Sequence, residues 1–181
     1  MSNPFFDQPI LNSPYDYPSR HWELDAQGQP TQSIVENRRK AQFITPIPKA
    51  KKQKSTAQQS MVFDEGKGVS TAEQGYDPTS IINDLRYFVD QWRDFPESQW
   101  QVTPETARLL KHWRDHKFES VRPFFCQIEA VETAIWLTEV APHSAQGKRF
   151  LTYLENANRD ANPGLLRLAL KLATGAGKTT V

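Results

Sequence analysis

At 181 residues the chain can hold one medium domain, or a small domain plus an arm, and its net charge of +1 neither selects nor excludes a polyanionic partner. Any nucleic-acid argument must therefore be local. A single cysteine, Cys126, excludes a disulfide framework within the chain and suits a reducing compartment. Residues 1–7 lack a basic stretch followed by an apolar one, and no run approaches the roughly 20 apolar residues of a membrane span. The expectation is a cytoplasmic protein with no membrane partner.

Residues 1–32 carry Pro4, Pro9, Pro14, Pro18 and Pro30 among polar and aromatic residues, and prolines so placed interrupt regular structure. Within them, Pro18-Ser19-Arg20-His21-Trp22-Glu23-Leu24 followed by the turn signal Asp25-Ala26-Gln27-Gly28 suggests a small hairpin. His21 reads as a surface or packing histidine. From 37 to 54 the balance is basic, with Arg38, Arg39, Lys40, Lys49, Lys51, Lys52 and Lys54 and no acid among them. Thr45-Pro46-Ile47-Pro48 in the middle favours an extended backbone. This run is either a phosphate-contacting arm or a solvated linker. Residues 55–75 are polar and read as linker, so 1–76 as a whole is expected to be a Pro-rich, basic, largely disordered arm.

A helical module is expected over 77–160. Asp77 and Pro78 give a cap and a first helical position, and Ile81, Ile82, Leu85, Phe88, Val89 and Trp92 fall on one face, predicting a helix over 78–93. Thr103-Pro104-Glu105 repeats the start signal for a second helix over 103–117, with Ala107, Leu109, Leu110 and Trp113 on its apolar side. His112 and His116 lie one turn apart there; the spacing is metal-compatible, but without an acid or thiol triad nearby the pair reads as an exposed basic face. A third helix is predicted over 123–140, stopped by Pro142, and a fourth over 146–158. The turn Asn162-Pro163-Gly164 ends the module.

Beyond it, Leu166, Leu168, Leu170 and Leu172 recur at period two and predict a strand. The strand feeds Ala173-Thr174-Gly175-Ala176-Gly177-Lys178-Thr179-Thr180. Gly175 and Gly177 let the backbone turn successive N–H groups onto a phosphate. Lys178 would reach the β- and γ-phosphates, the Thr179 hydroxyl would ligate Mg²⁺, and a helix beginning there would add its positive end. Thr174, Ala176 and Thr180 complete the loop. Leu172 stands where the strict pattern has glycine, and the plain alternative is a Gly-rich turn with no ligand. A lone strand has no neighbours to stabilise it, so 165–181 is expected to be poorly ordered or drawn as a helix extension.

Two segments together resemble a known family. Arg122-Pro123-Phe124-Phe125-Cys126-Gln127-Ile128-Glu129-Ala130-Val131 resembles the helix preceding motif I of superfamily 2 helicases, and the 173–179 loop, about 45 residues on, resembles motif I itself. The pair is similar to the start of the helicase domain of type III restriction enzyme R-subunits and related DEAD/DEAH-box proteins. Residues 18–24 and the stretch over 113–140 resemble the N-terminal region of a bacterial restriction-endonuclease branch. The resemblance implies an α/β parent with a recA-like P-loop core, ATP and Mg²⁺ as cofactors, DNA as partner and Gln127 as the residue that reads the adenine edge. For restriction relatives it implies a C-terminal nuclease and a methyltransferase subunit as partner. This stretch would then be mostly α-helical with a disordered arm and, over 161–181, one terminal strand plus the P-loop.

The acidic Mg²⁺ motif, the transition-state arginine and the second lobe that hydrolysis needs are not among these residues. The chain thus reads as the N-terminal piece of a larger enzyme and is expected not to turn over ATP by itself. The rival reading is a non-enzymatic helical module that binds DNA or a protein through its basic arm.

Overall fold

The computed structural model describes residues 4–41, 78–119, 121–161, 163–172 and 175–177. The first of these stretches departs from expectation, because it is folded. It holds a one-turn helix α1 (Pro4–Asp7) and an antiparallel hairpin of β1 (His21–Leu24) and β2 (Pro30–Val35). The prolines permit this by where they stand. Pro4 opens α1, Pro30 is the first residue of β2, and the others lie in connections, so no helix or ladder hydrogen bond is lost to them. The turn is an Asx turn: Asp25 Oδ1 accepts from Gln27 N at 2.9 Å and from Gln29 N at 2.8 Å, while Gly28 takes φ +79°. Trp22 anchors the hairpin, buried against Phe5 edge-on, its indole N–H donating to Gln8 O at 3.1 Å.

The helical module follows the expected order. Helix α2 (Pro78–Arg93) presents Ile81, Leu85, Phe88, Val89 and Trp92 to the core, while Ile82 stays exposed. Asp77, its expected cap, lies outside the described residues. Helix α3 (Pro104–Asp115) is capped by Thr103, whose hydroxyl accepts from Thr106 N. Helix α4 (Phe125–Ile135) does not continue regularly to Val140. It widens into a π turn over Trp136–Val140 and tightens into a 3₁₀ turn over Ala141–His143 that contains Pro142. The Thr138 hydroxyl donates back to Ala134 O at 2.9 Å, a competing bond of the kind that distorts a helix. Helix α5 (Ala145–Ala161) closes the module, lying so near the 3₁₀ turn that a Cβ on Gly147 would sit 2.1 Å from Ala141 O.

Val89, Trp92, Trp100, Leu110, Trp136, Leu137, Ala141 and Phe150 form the core. Two of its indoles are satisfied by backbone, Trp92 Nε1 donating to Trp100 O and Trp100 Nε1 to Phe95 O, so ring burial leaves no orphaned donor at either.

Residues 163–172 form neither the predicted strand nor a helix extension. The only sheet among the described residues is β1–β2, and without a neighbouring strand the segment has no ladder to join. One of its residues is held by a side chain instead: the Asn158 amide accepts from Arg167 N at 2.7 Å and donates to Arg167 O at 2.9 Å. Leu166 remains 72% exposed, with Leu165, Leu168 and Leu170 exposed beside it. Among the described residues no helix is long and apolar enough to cross a membrane.

Candidate functional site

The first turn of α4 holds Gln127, the residue that the family resemblance suggests for an adenine contact, and the fold brings the glycine loop to it. Gln127, at the third residue of α4, turns its amide back toward the helix start. Its Oε1 accepts from Phe124 N at 2.7 Å, half of a capping box, since Phe124 has no hydroxyl to return the bond. Its Nε2 donates to Gly177 O at 2.8 Å, across 50 residues of sequence. The two segments singled out by resemblance therefore meet.

The described part of the loop has a defined backbone handedness. Gly175 takes φ +81° and Gly177 φ +66°, while Ala176 between them does not enter that region. Residues of positive φ next to right-handed ones aim successive N–H groups to one side and make an anion-binding concavity, and two positive-φ glycines are compatible with that arrangement. Space beside Gly175 is open, with nothing within 4 Å of where a Cβ would lie. Thr174, Lys178, Thr179 and Thr180 lie outside the described residues, so the groups expected to hold the phosphates and Mg²⁺ have no described geometry.

The N-terminal segment lies over the start of α4. Phe125 N donates to Pro14 O at 2.9 Å, Tyr15 meets Phe124 with ring centroids 5.3 Å apart, and the Arg122 guanidinium lies 4.3 Å from the Tyr15 ring centroid. Tyr15, Trp113, His116, Phe118, Arg122 and Ile128 line part of an adjoining cleft of about 580 Å³. His112 and His116 stack on each other at 4.6 Å, His116 meeting Phe118 edge-on. Among the described residues no group of three metal-ligating side chains gathers there or elsewhere.

Helix α4 is fixed in place by charge, which the sequence reading missed. Glu132 is 2% exposed, and its carboxylate accepts from Arg93 Nε and from Arg114 Nε and Nη2, the latter at 3.0 and 2.8 Å. Arg114 also lies over the faces of Trp92 and Trp100. One turn earlier Glu129 pairs with Arg38 at 2.7 Å, and Arg93 also pairs with Asp90, which accepts from the Tyr17 hydroxyl at 2.7 Å. Burial works against the charge on Arg38, but Glu129 outweighs it and raises the guanidinium pKa further. Burial, then the neighbouring Arg38, lowers that of Arg86. Burial and the bond to Asp90 raise the Tyr17 phenol. Arg38, first residue of the basic run, is thus spent inside the protein. A signal was present in the sequence: Glu132 shares one side of α4 with Ile128, Ile135 and Trp136, where a solvated acid has no place.

No family model, curated protein or solved structure matches the chain. The family resemblance rests on the residues quoted for it.

Proposed function

We propose that this chain is the N-terminal part of an ATP-dependent DNA helicase or translocase of the restriction type, binding Mg·ATP through the loop at 174–180. The observation that carries the reading is the bond from Gln127 to Gly177 O, made to a loop whose two described glycines both take positive φ. A chance glycine turn has no reason to adopt an anion-receiving backbone against the one helix start that resembles a nucleotide-reading element. In this reading the N–H groups of Gly175, Ala176 and Gly177 face the phosphates, Lys178 neutralises the β- and γ-phosphates and Thr179 ligates Mg²⁺, with Thr174 and Thr180 completing the loop. The bound nucleotide supplies the free energy for movement along DNA in the parent enzyme, where a methyltransferase subunit is a further partner.

Calorimetric titration of the 181-residue chain with Mg·ATP tests the binding step. Binding that weakens at least tenfold in Lys178→Ala, with an unchanged thermal midpoint, is the expected result, since the lysine is a point charge on the phosphates. Equal binding by both proteins, or none by either, would remove the nucleotide reading.

A further inference from the structure

A carboxamide reads the edge of a purine by presenting Oε1 as acceptor and Nε2–H as donor side by side. In Gln127 both groups face protein backbone. Oε1 accepts from Phe124 N at 2.7 Å, Nε2 donates to Gly177 O at 2.8 Å, and the residue is 8% exposed. Reading a base would require it to leave two backbone groups unpaired in a largely buried place, at a cost comparable to what the base contact returns.

Gly177 is the last described residue of the candidate loop and takes φ +66°, in a stretch where glycine's freedom makes any single conformation entropically costly. A peptide plane is rigid, and its C=O and N–H point in opposite directions. Holding the carbonyl of Gly177 against α4 restrains the backbone dihedrals of Gly177, and with them the direction of its own N–H in the loop. We propose that Gln127 is a positioning residue for the phosphate loop and not a reader of the base. It ties the loop to the rigid start of α4, so the anion-receiving N–H groups are set before a ligand arrives. The assignment rests on the nucleotide reading of the 174–180 loop. Its consequence is that Gln127 contributes to binding any polyphosphate, whatever base it carries.

The test uses the full chain and two variants. Gln127→Glu keeps an acceptor for Phe124 N and places a carboxylate where the helix end favours it, but cannot donate to Gly177 O. Gln127→Met removes both bonds without adding charge. Wild type and variants are titrated with Mg·ATP, Mg·GTP and inorganic tripolyphosphate. The expected result is that both variants weaken all three ligands by the same factor, roughly tenfold for one lost hydrogen bond to a buried group. The thermal midpoint of Gln127→Glu, which keeps the bond from Phe124 N, should fall by less than that of Gln127→Met, which loses both bonds.

A loss confined to ATP, with tripolyphosphate untouched, would make Gln127 a base reader and overturn the proposal. A uniform loss in the glutamate variant alone would be charge repulsion and would also overturn it. Should wild type bind none of the three, the nucleotide reading fails, and the positioning role is decided on ligand-free protein by the Gly177 carbonyl carbon resonance and amide exchange at 175–177. Both should change in each variant; resonances that do not move would show that Gln127 positions nothing.

Discussion

At Gly147 the backbone of α5 comes so close to the turn over Ala141–His143 that a single methyl has nowhere to go. A Cβ there would lie 2.1 Å from Ala141 O and 2.4 Å from Ala141 Cα, both backbone atoms that no rotamer change can clear. Gly147→Ala should destabilise the fold by about 3 kcal/mol even though alanine is the better helix former, because overpacking outweighs propensity. Thermal or urea unfolding checks the sign: a variant as stable as wild type would mean the α5 contact is looser than described. Glu132 makes the complementary point. Its carboxylate is held by two arginines in a place with almost no water, where removing one partner leaves uncompensated charge.

Among the elements, α3 depends on a residue from another helix. Thr103 caps it, and Glu139, in the π turn after α4, accepts from Thr103 N and from the Thr106 hydroxyl, both at 2.6 Å. A carboxylate at a helix N-terminus is favoured by the helix dipole. Partial burial opposes the charge on Glu139, but the bonds from Thr106 and Thr103 win and hold its pKa below the ordinary glutamate value. A depressed carboxyl contributes stability that is present above the unfolded-state pKa, about 4.3, and is lost as pH falls through the folded value. Glu139→Gln should therefore be less stable than wild type at neutral pH, by a modest amount because the group is largely solvated. The difference should shrink as pH drops below about 4.3. Melting temperatures of both proteins from pH 7 to 3 check this, and a constant gap would show that Glu139 acts by packing alone.

For the whole molecule, the decisive feature is that residues 4–41 and the helical module are joined side by side. Arg38 pairs with Glu129 across 91 residues of sequence, and Tyr17 reaches Asp90 across 73. At the end of the N-terminal segment, Asn83 in α2 accepts from Ala41 N at 2.8 Å and donates to Ala41 O at 3.1 Å. The chain thus returns, by Pro78, to within about a turn and a half of helix from where it departed at Ala41. Residues 42–77 therefore connect two described points, Ala41 and the start of α2, that lie close together. Replacing them with a flexible Gly/Ser linker of about eight residues should preserve the fold and raise stability by about 1 kcal/mol, from the smaller loop-closure entropy. Circular dichroism and a thermal melt read the outcome; loss of the cooperative transition would mean the replaced segment supplies part of the core.

What the sequence determined by itself was everything encoded over one or two turns of chain. The apolar spacing in α2, the Thr103-Pro104 start of α3, the Asp25–Gly28 turn and the need for left-handed glycines at 175 and 177 are local matters of sterics and hydrogen bonding, and each is legible without knowing its neighbours. Tertiary structure decided the rest. Prolines that read as disorder prove compatible with a folded segment because Trp22, Tyr17 and Arg38 find distant partners. The Leu-rich segment before the loop reads as a strand, but a strand exists only as one side of a ladder, and none of the described residues supplies the other. The place of Glu132 on an apolar side of α4 was legible, but its partners Arg93 and Arg114, and Arg38 for Glu129, arrive from three other segments. Gln127 was legible as a residue of interest, but its partner was not. Which group an amide meets 50 residues away is set by how α4 and the loop pack, and local sequence does not encode that packing.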